Sequence, residues 1–428
     1  MAEKDNSTTK AFGRRETLKT LAIGTVSVSG LTGTALANPG NGKGRGNGNC
    51  DITVPDDYAS IQDAVGSASS GDTICIDGGT YAEQLVINKS LNLKAVEGTT
   101  PTIKPGTSKE SFTIAESGPT WEPMVFAFGG TVDSGDVSGA GTIDVDIEGL
   151  TLDGQSEQPD ARRKPAVLYR NASGTIDSNT IKNVGVGGKE TFGILAYGDS
   201  DVQITGNIVR DYERGGIGAN GDGGAHPSPT AKVRNNTVET SGDIGEAWGP
   251  NGIQVGFGAE GLVHQNEVTG NRYSDEEPVA AGILIFESDG VSVKQNTVKD
   301  ADIGLSCGSW GWFNASADKN QFTNNEVEKV EYGALLESVT EPYAGVPEIT
   351  LTQMDASVSN NKVVNNTLKG ENGPEGQIGV AVHKENNDTS SGYEPVAENN
   401  KLIRNSISNF ETELEDEGTS TKTAPFKP

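Results

Sequence analysis

Carboxylates, an arginine and two aromatic side chains gather in three short stretches near the middle of this chain. Asp211, Glu213 and Arg214 stand in the first, Asp243, Glu246, Trp248 and Asn251 in the second, and Tyr273, Asp275, Glu276 and Glu277 in the third. Two carboxylates held about 5–10 Å apart can serve as acid and base on a glycosidic bond. A guanidinium grips a carboxylate with two parallel hydrogen bonds, and an aromatic face accepts a sugar ring. On that chemistry Asp243 or Glu246 is the expected acid/base, Arg214 orients a uronate and Trp248 stacks on it. Asn251, Tyr273 and Asp211 are the expected further substrate contacts. Paired carboxylates also suit Ca2+, a hard cation that prefers oxygen ligands. His226, His264 and His383 are the three histidines and lie far apart, so a dedicated copper centre is not expected. A loop carboxylate in an acidic chain is ordinarily just solvated. These residues can act together only if the fold stacks them.

The element that could stack them is a repeat. Asn179, Asn207, Asn236, Asn266, Asn296 and Asn325 recur in one context at intervals of 28, 29, 30, 30 and 29 residues, and Asn366 and Asn405 follow in looser copies. A fixed period of this size marks units that bury their apolar faces only by stacking on neighbours. Short alternating pieces flank each asparagine, such as Val291-Ser292-Val293 and Thr297-Val298. A third piece opens with Gly-Ile, as in Gly252-Ile253 and Gly282-Ile283. Alternation over so few residues predicts strands. Three strands per turn of about 29 residues predict an all-β solenoid, a single right-handed parallel β-helix from about Cys50 to Phe410 with about twelve rungs. The asparagine tolerates left-handed backbone, and its amide can bond backbone and the next amide up the stack. It is therefore assigned a structural role. The corners before the Gly-Ile strands, such as 239–251 and 269–281, vary most in length, which puts the candidate residues on one flank. Trp310 and Trp312, with His226, fall on the opposite corner, as core cover or as a second sugar platform.

The ends and the charge bound the setting. Gly13-Arg14-Arg15-Glu16-Thr17-Leu18-Lys19, an apolar stretch to Leu36 and Ala35-Leu36-Ala37 resemble a twin-arginine export signal, so residues 1–37 are set aside. The stretch is too short and too rich in Gly, Thr and Ser to be a membrane span. Residues 38–49 read as a flexible Gly/Asn-rich linker, and 411–428 as an acidic disordered tail. The formal net charge of −27 disfavours nucleic-acid and anionic-membrane partners. It fits general solubility in high salt, of the kind halophilic archaea show. Outside the cytoplasm a Cys50–Cys75 disulfide is allowed and would pin the first rung; Cys307 is expected as a buried free thiol. Asn88, Asn171, Asn314 and Asn387 head glycosylation sequons.

Residues 51–96 carry a family resemblance. Ile61, Ala64, Val65 and Ala68 fall on one face of a short helix, with Asp56 or Asp57 available as its cap. Gly71-Asp72-Thr73-Ile74, Gly79-Thr80-Tyr81, Glu83-Gln84-Leu85-Val86-Ile87 and Leu91-Asn92-Leu93 follow. This opening resembles that of pectin methylesterases and of NosD-type and other pectin-lyase-like β-helix proteins, and implies a helix capping the coil's exposed edge. The catalytic phrases of pectin methylesterases, polygalacturonases and pectate lyases are missing. The resemblance therefore implies a secreted or cell-surface, monomeric protein that binds or degrades acidic polysaccharide as a lyase or glycoside hydrolase. The other expectation it supports is a non-catalytic surface, adhesion or accessory scaffold.

Overall fold

Alternation decides which side chains turn inward. In Thr230–Arg234, Ala231 and Val233 are buried while Lys232 and Arg234 face solvent. The same split recurs on the neighbouring strands, and the inward residues stack in register: Val202 on Ala231, and Ile204 on Val233, which stacks on Val263. The computed structural model describes residues 50–114, 120–133, 136–138, 142–155, 163–185, 191–221, 227–240, 249–273, 280–311, 316–340, 356–371, 376–386 and 394–424. Within them the chain winds as a parallel β-helix. The first sheet has thirteen strands, from Ile52–Val54 to Lys422–Thr423, in chain order. The second holds the strands just after each asparagine, such as Ile208–Tyr212, Thr237–Glu239 and Glu267–Thr269. The third holds the Gly-Ile strands, such as Gly215–Asn220, Asn251–Gly256 and Ala281–Phe286. At two turns the second and third sheets are joined by one strand, Thr297–Ser309 and Glu326–Thr340.

The asparagines sit at the corner between the first and second sheets. The backbone N–H and the side-chain amide of Asn207 both donate to Asn236 Oδ1, at 2.9 and 3.0 Å. The pattern runs unbroken from Asn179 to Asn405. Each amide also donates to a carbonyl of the neighbouring turn, as Asn266 Nδ2 does to Val233 O at 2.9 Å. The left-handed residue, however, is the one before each asparagine: Ser178, Asn235, Gln265, Gln295, Asn324, Asn365 and Arg404 all have φ between 53° and 58°. The ladder asparagine needs ordinary backbone so that its side chain turns inward. A second, shorter stack of Asn320, Asn361 and Asn400 occupies the corner entering the first sheet.

The Gly-Ile glycines form a column where the second and third sheets pinch together. A Cβ on Gly252 would stand 2.2 Å from Val268 Cγ1 and 2.5 Å from Gly282 O, and Gly216 and Gly304 are as tight. Hydrogen alone fits there, because the next turn's backbone lies directly overhead.

Two expectations need correction. The helix Ile61–Ser67 is capped by Ser60, whose hydroxyl accepts from Asp63 N at 3.1 Å, and not by Asp56 or Asp57. Glu83, in the link between Thr80–Ala82 and Leu85–Ile87, accepts from the N–H groups of Ile61 and Gln62 at 3.0 and 2.9 Å, supplying the anion that a helix start favours. The expected tail also contains strands: Thr412–Asp416 pairs with Ile378–Asn386, and Lys422–Thr423 with Lys401–Ile403. Its polar look comes from outward residues, while Leu414 packs against the core. Cys50 and Cys75 are joined by a disulfide with Cα atoms 5.7 Å apart, and Cys307 is a buried free thiol whose pKa burial pushes up to about 12. Asn171 is unsuited to glycosylation because it is buried and accepts from Asp199 N at 2.9 Å. Residues 1–49, Asn314 and Asn387 lie outside the described residues.

Candidate functional site

The corner between the second and third sheets gathers charge from four turns. Arg272 leaves the second sheet just after Glu267–Thr269. Its Nη2 donates to Lys329 O at 2.9 Å and pairs with Glu371, and its Nη1 lies 3.8 Å from Glu331 Oε1. Arg272 is thus bound by carboxylates from two further turns. Asp302 lies in register with Glu331, since Ala301 pairs with Val330 and Ile303 with Tyr332. In-register neighbours on adjacent strands are about 4.8 Å apart. Asp302 is buried, and its Oδ2 accepts from the N–H groups of Tyr273 and Ala280 at 3.1 and 3.2 Å.

Burial raises both carboxyls of the stacked pair. Asp302 is pushed up to about 6, chiefly by loss of water and further by Glu331, against the backbone donors and Arg272. Glu331 is raised by burial and by Glu371, against Arg272. Glu331 is the reachable member, with 41 % of its side-chain surface exposed. A partly exposed carboxyl that holds its proton above the usual range, beside a second carboxyl and a guanidinium, is equipped to donate a proton to a leaving oxygen. Among the described residues no group of three or more Asp, Glu, His or Cys is arranged to hold a metal ion, which gives the Ca2+ expectation no support here.

The shift in Asp302 has a consequence for stability. A carboxyl raised above its ordinary 3.8 is more protonated in the folded chain than in the unfolded one, so its contribution falls as pH rises from about 4 through about 6. Above that window the burden is about 3 kcal/mol, taking about 1.4 kcal/mol for each pH unit. Asp302→Asn is therefore expected to unfold at a higher temperature than the wild type at pH 8 and at nearly the same temperature at pH 4. Parallel melting curves across that range would contradict it.

The residues expected from the sequence are divided among several places. Asp243, Glu246 and Trp248 lie outside the described residues, as do His226 and Trp312. Arg214 donates from Nη1 to Gly249 O at 3.0 Å, and burial lowers its pKa to about 10. Its backbone carbonyl accepts from Asn251 N. Asn251 is not placed as a sugar contact: it is buried, its Nδ2 donates to Gln254 Oε1 at 3.1 Å and its Oδ1 accepts from Ala281 N at 3.1 Å. Gln254 passes the chain on to Asn220 Oδ1 at 3.0 Å, forming an amide row on the third sheet's outer face. Asp211 occupies a left-handed corner position with φ 53°, which a short polar side chain tolerates. Tyr273 does join the new cluster, through its backbone N–H to Asp302.

On either side of the amide row the outer face of the third sheet is apolar. Phe126, Leu168 and Leu195 stack in register, covered by Phe112 and Trp121 of a small four-stranded excursion. Further on, Ile303, Leu335, Ile378 and Ala381 form a second apolar block. Trp310 is core cover: it is buried against Phe286, with ring centroids 5.7 Å apart, and its indole N–H donates to Glu337 at 3.3 Å.

Comparison with known proteins agrees with this architecture. Residues 165–344 match a family model described as a right handed beta helix region. No curated protein matches the sequence. A family 28 exopolygalacturonase from Yersinia enterocolitica superposes with a TM-score of 0.58 at 15 % identity, covering 86 % of this chain and 73 % of that one. The catalytic unit of a GH87 alpha-1,3-glucanase from Streptomyces thermodiastaticus gives 0.52 at 13 % identity, covering 90 % and 69 %. PfbA, a surface adhesin of Streptococcus pneumoniae, gives 0.52 at 13 % identity, covering 88 % and 91 %. At such identities the likeness establishes the right-handed parallel β-helix and no activity.

Proposed function

We propose that this is an exported β-helix protein that acts on polysaccharide outside the cell, with its reacting centre at the Arg272–Glu331 corner. The twin-arginine leader supplies the export, the helix Ile61–Ser67 caps a monomeric coil of about twelve rungs, and the sugar chain is acidic. The observation that carries the reading is the in-register pair of Asp302 and Glu331, both with raised carboxyl pKa, beside the Arg272 guanidinium. Glu331 donates the proton to the leaving oxygen as the glycosidic C–O bond breaks, and water adds to the sugar carbon and returns a proton to Glu331. Asp302 keeps the local field negative and holds the backbone at Tyr273 and Ala280. Arg272 orients a sugar carboxylate or a ring hydroxyl.

Incubation with pectate, alginate and polygalacturonate in high salt, with detection of reducing or unsaturated ends, tests this. Glu331→Gln is expected to cut the rate about 100-fold while leaving the fold intact. Absence of product on every polymer would remove the catalytic part. A second reading, a non-catalytic surface scaffold, is favoured by the apolar clusters that occupy the third sheet's outer face among the described residues. It predicts polymer binding without products.

A further inference from the structure

We infer that the outer face of the first sheet is a docking track for acidic polysaccharide, separate from the Arg272–Glu331 corner. This rests on the reading that the protein acts on polysaccharide, and it adds where an anionic chain is held. In seven successive strands, from Thr230–Arg234 to Lys422–Thr423, the outward positions carry basic side chains in stacked runs. Arg234 pairs in register with His264, and His264 with Lys294. After the uncharged turn of Gln321 and Thr323, Lys362 pairs with Lys401, and Lys401 with Lys422.

Like charges directly opposite each other on neighbouring strands destabilise a sheet. The fold gains nothing from the run of Lys362, Lys401 and Lys422, and the chain as a whole is strongly acidic, with a net charge of −27. Glu260 is the one carboxylate at an outward position of the seven strands. Lys232 is matched by Asp201 at 3.7 Å, but no ion pair forms to Arg234, Lys294, Lys362, Lys401 or Lys422 among the described residues. The other acids of this face lie towards its opposite end, at Asp144, Asp146, Glu148, Asp177 and Asp201.

The track therefore presents cations in two neighbouring columns, about 4.8 Å apart along Lys362, Lys401 and Lys422 and about 10 Å apart from Arg234 to Lys294. Its partner is an extended polymer with one anionic group per residue. The outward positions of the seven strands hold no Phe, Tyr or Trp, so the large stacking platforms that bind single-stranded nucleic acid are missing from them. A polyuronate needs charge and hydrogen bonds alone from this face.

Two full-length variants test the track: Arg234→Glu with Lys294→Glu, and Lys362→Glu with Lys401→Glu and Lys422→Glu. Binding to polygalacturonate, alginate, neutral dextran and a single-stranded oligonucleotide is measured by calorimetry at two salt concentrations, with melting curves and sedimentation velocity on each protein. The wild type is expected to bind the two acidic polymers, more weakly at the higher salt, and neither dextran nor oligonucleotide. Each variant is expected to lose at least tenfold in affinity and most of the salt dependence, with an unchanged melting temperature. Undiminished binding by both variants overturns the track while leaving the corner reading intact. Equal binding of the oligonucleotide, or a change in self-association alone, overturns it in favour of a nucleic acid or of a second copy docking its acidic end. A wild type that binds no polymer of any charge removes the polysaccharide reading and the track together.

Discussion

Replacing Asn266 by alanine is expected to cost about 4 kcal/mol of stability. Asn266 Oδ1 accepts from both the backbone N–H and the side-chain amide of Asn236, at 3.0 and 2.9 Å, and its own amide donates to Val233 O at 2.9 Å and to Asn296 Oδ1 at 3.0 Å. All of these groups are buried. Alanine leaves Asn236 N–H and Val233 O without the partners the side chain provides, and removes two more bonds whose remaining atoms, Asn236 Nδ2 and Asn296 Oδ1, keep other partners. A buried polar group that loses its partner costs about 1–3 kcal/mol. Denaturant unfolding of the single variant measures the loss. A loss below about 1 kcal/mol would show that the stack is incidental to the fold.

Opening the Cys50–Cys75 bridge by Cys50→Ser with Cys75→Ser is expected to cost about 3.5 kcal/mol. The sequence separation is 25 residues, and closing a loop of that length restricts the unfolded chain by about that amount. In a solenoid each turn contacts mainly its neighbours, so the loss should stay local. Hydrogen exchange is the discriminating measurement. Amides of Ile52–Val54 and of the helix Ile61–Ser67 should exchange faster in the variant, and those of Thr230–Arg234 should not. Uniform acceleration along the coil would show that the bridge anchors the entire solenoid.

Much of the fold was legible because one residue type repeats at one corner. The asparagine period and the Gly-Ile pieces located the three sheets. The left-handed position was misassigned by one residue because that site accepts Ser, Gln, Asn or Arg and has no signature of its own. The stack of Asn320, Asn361 and Asn400 has three members at spacings of 41 and 39 residues, too few and too far apart to register as a period. The corner cluster escaped for another reason. Arg272 and Glu371 are separated by 99 residues, and Glu331 and Asp302 lie inside continuous strands, whereas the sequence pattern favours the longest loops. Nothing in the types or spacing of these residues marks them. The in-register pairing of two strands brings the carboxyls together, and the recurrence of Glu at 328, 331 and 337 looked like ordinary surface.

The two uninterrupted strands that bear this cluster have a further effect on shape. The chain between Thr269 and Ala281, and that between Gly370 and Ile378, adds residues at the same edge where Thr297–Ser309 and Glu326–Thr340 pass straight through. Arg272, on the turn before those two strands, reaches across both to Glu371 on the turn after them. A polymer presented to Glu331 therefore meets this strap of paired charge across its path, and salt that weakens the pair would open the approach.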